Sequence, residues 1–150
     1  MKSVKPSQIT EEYWVYAINE SKNKYPESTK NCGKWMIFAY KGKELNNIWE
    51  SVKKAIEKRL LGNSAKCSTS KDNENSLNKS SGVICVYTYD SHDKKDLKRI
   101  AEELFKIENV EKLFYKEDNA TREGRYAIRG DKNISKWFVK KDNFMEVLSQ

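Results

Sequence analysis

Between Leu45 and Ile56 the apolar residues Leu45, Ile48, Trp49, Val52, Ala55 and Ile56 fall at offsets 0, 3, 4, 7, 10 and 11. Only a helical period of about 3.6 residues returns all of these side chains to one side. A second stripe, Leu97, Ile100, Ala101, Leu104 and Phe105, has offsets 0, 3, 4, 7 and 8. A helix that is apolar along one stripe needs a layer to lie against. That layer is legible in two further runs. KWMIFAY (34–40) is the short continuous apolar run of a buried central strand, and VICVYTY (83–89) is the plainest strand in the chain.

Other segments fill in the sheet. EEYWVYAI (11–18) reads as a strand with Trp14 and Tyr16 facing opposite to Tyr13 and Val15. EKLFYK (111–116), GRYAIRG (124–130) and SKWFVK (135–140) read as three more, and DNFMEVLSQ (142–150) as a short terminal helix. Lys41-Gly42-Lys43 turns the chain into the first helix, and Gly62 is a natural stop for it. Asp93, followed three residues on by Asp96, echoes a capping box for the second helix. The order β, β, α, β, α, β, β, β makes an α+β fold with helices on one face of an antiparallel sheet. Residues 1–11 are expected to be a flexible N-terminus before a single domain at 12–150. The polar stretch STSKDNENSLNKSSG (68–82) is expected to be a mobile loop between two strands of one sheet.

Composition narrows the chemistry. Lys and Arg number 29 against 22 Asp and Glu, a net charge of +7, which favours anionic partners. Cys32, Cys67 and Cys85 are an odd number without a C-x-x-C spacing, and the single histidine, His92, is distant from all of them. We therefore expect neither a metal site nor a disulfide framework, and no cofactor. No window approaches the roughly 18 apolar residues of a membrane span. MKSVKPSQITEEYW has no apolar core of a signal peptide. The expected setting is cytoplasmic, with nuclear entry open for a eukaryotic source, and the expected state is a monomer. The chain lacks a P-loop, a G-x-G-x-x-G and a G-x-S-x-G.

The succession GKWMIF (33–38), NIWESVKKAI (47–56), LGNSAKCSTS (61–70), VICVYTYD (83–90) and LFYKEDNATREGRY (113–126) resembles a family named after a basophilic leukaemia-expressed protein. That family is similar in fold to the eukaryotic cap-binding translation initiation factor 4E. The resemblance covers about residues 12–140 and implies a strongly curved antiparallel sheet backed by helices, with a ligand on the concave side. It also implies that Trp35 and Trp49 are core residues. Trp14 is then the best candidate for a stacking ring, with Tyr16 beside it.

By the same resemblance Lys66 stands where the initiation factor turns basic residues toward phosphates. Lys34, Lys116, Arg122 and Arg125 come from neighbouring segments of the expected sheet, and Arg and Lys together suit a phosphate. Asp118 and Thr121, with Arg122 before Gly124, suggest a ligand loop. The leading expectation is a binder of RNA, a phosphorylated small ligand or a phosphoprotein. An enzymatic alternative also follows from the resemblance, a metal-independent carbon–oxygen lyase acting on phosphothreonine by β-elimination. Lys66 would be its base, its proton loosened by cationic neighbours, with Tyr115 or Tyr126 as candidate acids. A protein-interaction adaptor using the helical face is a further alternative.

Overall fold

The computed structural model describes residues 4–19, 25–71, 80–118 and 136–149. Its elements are β1 (Trp14–Ile18), β2 (Gly33–Tyr40), α1 (Lys43–Glu57), β3 (Ser64–Ser68), β4 (Ser81–Thr88), α2 (Lys94–Phe105), β5 (Lys112–Glu117), β6 (Trp137–Lys140) and α3 (Phe144–Leu148). The six strands form one curved sheet in the order β1-β3-β4-β2-β5-β6, with every neighbouring pair antiparallel.

Alternation along each strand divides the sheet into two unlike faces. Ala17, Ala65, Cys67, Ile84, Val86, Trp35, Ile37, Ala39, Leu113, Tyr115 and Val139 are buried beneath the helices. The stripes of α1 and α2 close that core, as their spacing requires. Trp35 lies edge-on to Tyr115, with centroids 5.0 Å apart, and donates its indole N–H to the Leu97 carbonyl of α2 at 3.2 Å. Trp49 is equally buried, and its indole N–H has no partner among the described residues. Both tryptophans are core, as expected.

The helix ends repay attention to detail. Asp93 caps α2 by accepting from the Asp96 amide at 3.1 Å. Asp96 does not reciprocate as a capping box would. It accepts instead from the Tyr25 hydroxyl and from Arg99, whose guanidinium reaches on to the Leu60 and Leu61 carbonyls. The stop of α1 is not Gly62. Arg59 takes the left-handed position at φ +63°, with Leu60 N donating to Ala55 O and Arg59 N to Ile56 O, a Schellman closure three residues earlier. Gly62 lies buried where an added Cβ would meet the Tyr87 carbonyl at 2.5 Å.

Three other details refine the expected layout. Residues 64–68, the expected strand flank before the polar loop though not counted in the expected strand order, form β3, and β4 begins at Ser81, so the ends of the 68–82 loop belong to the sheet. The 72–79 stretch lies outside the described residues, as does the strand expected at 124–130. Within the N-terminal segment, Pro6–Gln8 forms a 3-10 turn on α1, where Ser7 and Asn46 exchange hydrogen bonds at 3.1 and 2.8 Å. Finally, β2 is central but covered on one face only, leaving Phe38 and Tyr40 exposed.

Candidate functional site

The face opposite the helices carries the other half of every strand: Trp14 and Tyr16 on β1, Lys66 on β3, Cys85 and Tyr87 on β4, Lys34 and Phe38 on β2, Phe114 and Lys116 on β5, Phe138 and Lys140 on β6. All lysines of the described strands (34, 66, 112, 116 and 140) point to this open face, while the sole acid in those strands, Glu117, lies on the other. Lys34 stands directly opposite Lys116, and Lys112 directly opposite Lys140. Like charges in such cross-strand pairs are mutually unfavourable, and an anion laid between them would relieve the repulsion.

Trp14, Lys66 and Tyr87 form the centre of the site. The Lys66 ammonium sits 3.8 Å from the centroid of the Trp14 ring and 6.0 Å from that of Tyr87. A cation over an indole at this range contributes about 0.5–2 kcal/mol. Lys34 approaches the same Tyr87 ring at 5.9 Å and pairs with Asp118 at 3.1 Å. Asp118 is held in turn by the Cys32 thiol at 3.4 Å and, through its amide, by the Cys32 carbonyl at 3.0 Å.

Electrostatics follow from this crowding. Burial pushes the Lys66 ammonium below the usual lysine value, and the neighbouring Lys34 charge adds to the fall. Lys116 is lowered for the same two reasons in the same order. Cys85, on the floor between them, is pushed up by burial although the lysines pull it down, so it remains a protonated thiol. Burial also raises Tyr87, which keeps its phenolic proton. The arrangement presents a shallow cationic floor bordered by aromatic rings.

The structure thus brings together Lys34, Lys66, Lys116, Asp118, Trp14 and Tyr16 from four strands and a loop. Thr121, Arg122, Arg125 and Tyr126 lie outside the described residues. Tyr115 is excluded as an acid for the lyase reading: it points to the helix side and shares a hydrogen bond of 2.6 Å with Thr88. His92 is exposed just before α2. Sequence reasoning missed Tyr87 and the Phe38–Phe114–Phe138 group. Parity was the available signal, since Tyr87 alternates with core residues Val86 and Thr88, and Phe114 shares its face with Lys116.

Comparison with solved structures returns the same architecture. The chain resembles a schistosome eIF4E complexed with m7GpppA and 4E-BP, with a TM-score of 0.64 and 13% identity over 91% of this chain and 75% of that one. The schistosome eIF4E complexed with m7GpppG and 4E-BP gives a TM-score of 0.63, again with 13% identity over 91% and 75%. Ascaris suum eIF4E-3 with m7G cap gives 0.52, with 15% identity over 84% and 68%. Likeness at such identities is a likeness of fold. None of the curated proteins compared matches the chain. The family described as basophilic leukemia-expressed protein Bles03 matches residues 26–122, well over half of the chain, and the protein belongs to that family.

Proposed function

We propose that the protein binds RNA or a nucleotide on the open face of its sheet. The observation that carries this reading is the segregation of charge: every lysine of the described strands lies on one face, four of them opposed in pairs, interleaved with aromatic rings. Phosphate would be held by Lys34, Lys66 and Lys116, and a base would stack on Trp14 or Tyr16. Asp118 orients Lys34 from the edge of the site. The eIF4E structures of like fold hold cap nucleotides, which supports a nucleotide on a sheet of this shape.

The test is a tryptophan-fluorescence titration with GTP and with 7-methyl-GTP at two salt concentrations, for the wild type and Lys34→Gln/Lys66→Gln. We expect quenching that weakens as salt rises, because neutralised phosphates release counterions. The double variant should lose most of the affinity. Absence of binding by both nucleotides and by RNA at low salt would refute the reading.

One observation favours a second reading. Lys66 has a proton affinity lowered in the direction a β-elimination base needs, beside the Lys34 cation and the protonated Tyr87 phenol. Release of phosphate from a phosphothreonine peptide, lost in Lys66→Ala, is the result this reading requires.

A further inference from the structure

The open face is wider than one nucleotide. Adjacent strands lie about 4.8 Å apart, so the five steps from β1 to β6 span roughly 24 Å. Trp14 and Tyr16 occupy only the β1 end. At the other end Phe38, Phe114 and Phe138 form a ladder across β2, β5 and β6. Phe38 meets Phe114 edge-on at 5.5 Å, and Phe114 stacks on Phe138 at 4.8 Å. Phe38 remains 50% and Phe138 46% exposed, whereas the residues beneath them, Ile37 and Val139, are buried.

The ladder is flanked by charge. Lys112 and Lys140 stand opposite one another directly beside it, on the rung next to that of Phe114 and Phe138. Lys66 lies on a strand between the ladder and Trp14, while Lys34 and Lys116 stand on β2 and β5 themselves, on the rung to the other side of Phe114. Crossing the sheet from β1 therefore meets rings, then Lys66, then rings flanked on one side by Lys34 with Lys116 and on the other by Lys112 with Lys140. An apolar protein segment would bring no charge to relieve the opposed lysines. A chain of phosphates with a π-face on each unit answers both features.

We propose that the ligand of this face is a single-stranded nucleic acid of about four or more nucleotides, laid across the strands. One base stacks at Trp14 and Tyr16, a later base stacks on the Phe38–Phe114–Phe138 ladder, and the phosphates lie over Lys66 and over the lysine pairs that flank the ladder, Lys34 with Lys116 and Lys112 with Lys140. The proposal rests on the nucleotide-binding reading above and adds the length, strandedness and second stacking platform. A duplex is disfavoured because its bases are already stacked on each other.

The test uses fluorescence anisotropy with an end-labelled single strand of about eight nucleotides, the same strand annealed to its complement, and GTP as an unlabelled competitor. Wild-type protein is compared with Phe38→Ala, Phe138→Ala and the more conservative Phe138→Leu. Both positions are half exposed, so the fold should persist, and circular dichroism checks it. We expect the single strand to bind at least about tenfold more tightly than GTP and than the duplex. Each alanine variant should weaken the strand roughly tenfold, and Phe138→Leu should weaken it nearly as much, since leucine restores apolar area but no flat π-face. GTP affinity should change little in any of them.

Different failures point to different errors. A strand that binds no better than GTP, or is indifferent to both alanine variants, overturns the proposal and leaves the nucleotide reading standing. Rescue of strand affinity by Phe138→Leu overturns the stacking role of the ladder. Equal binding of duplex and single strand overturns the requirement for unpaired bases. Binding of neither GTP nor the strand overturns the proposal together with the reading beneath it.

Discussion

Gly33→Ala provides a sharp test of how the core and the open face are joined. Gly33 opens β2, opposite Thr88 on one side and Glu117 on the other. A Cβ built there would stand 2.5 Å from the Tyr115 hydroxyl, 2.6 Å from the Lys116 carbonyl oxygen and 2.8 Å from Tyr115 Cζ. One of these obstacles is backbone, so β2 and β5 must separate or Tyr115 must leave its bond to Thr88. Overpacking of this kind costs about 1–3 kcal/mol. Loss of the buried hydroxyl pair adds about 1–3 kcal/mol. Together these come to about 2–6 kcal/mol, a fall in Tm of roughly 4–24 °C for a chain of this size.

The control is Gly42→Ala. Gly42 has φ +105° but nothing within 4 Å of an added Cβ, so only backbone strain of about 1–2 kcal/mol is expected. Thermal unfolding followed by circular dichroism measures both variants. Since Lys116 is adjacent to the clash, Gly33→Ala should also weaken anion binding, which Gly42→Ala should leave alone. A Gly33→Ala protein that melts within about 2 °C of the wild type would refute the close packing inferred at the β2–β5 junction.

The lowered Lys66 gives a pH signature with a definite sign. Its folded value lies below the unfolded one of about 10.4, so the folded protein binds fewer protons there and gains stability as pH rises toward that value. The gap in urea midpoint between wild type and Lys66→Met should therefore shift in favour of the wild type as pH rises toward about 10.4. Anion affinity should fall as pH rises toward the same value, because phosphate needs the ammonium, and a gap that does not change with pH would count against the burial of Lys66. Asp118→Asn removes the carboxylate partnered with Lys34 and should tighten phosphate binding about two- to tenfold, read by calorimetry. Weaker binding would mean that Asp118 itself contacts the ligand. Cys32, Cys67 and Cys85 are all buried, with Cys67 and Cys85 raised by burial. A chromogenic disulfide reagent should react slowly with the native protein and with three thiols once it is unfolded.

The helices and the longer strands were legible because their signals are local. An apolar stripe at helical offsets and a run such as VICVYTY each declare an element without reference to the rest of the chain. The strand Ser64–Ser68 was harder to see because the residues it buries, Ala65 and Cys67, are small and the rest of SAKCS is polar. Its place in the sheet is supplied by pairing with β1 and β4, which no local window contains. The stop of α1 was misplaced because a glycine was available at 62, while the hydrogen bonds close at Arg59. For the site, residue types could be named one at a time. Which of them meet was set by register: Lys34 against Lys116, and Lys66 beside both Tyr16 and Cys85. The phenylalanine ladder joins positions 38, 114 and 138, a relation that exists only once β2, β5 and β6 are side by side.

The division of labour between the two faces also bears on how such a chain can change over generations. Positions 34, 36, 38 and 40 of β2 can be exchanged to retune what the outer surface holds, while 33, 35, 37 and 39 keep the core closed. Substitution is therefore a gentle route to new specificity. A single-residue insertion within β2 is not, because it would turn Trp35 and Ile37 toward solvent and Lys34 into the core in one step. Lineages of this fold should accordingly vary at alternate strand positions and confine changes of length to the connections between strands.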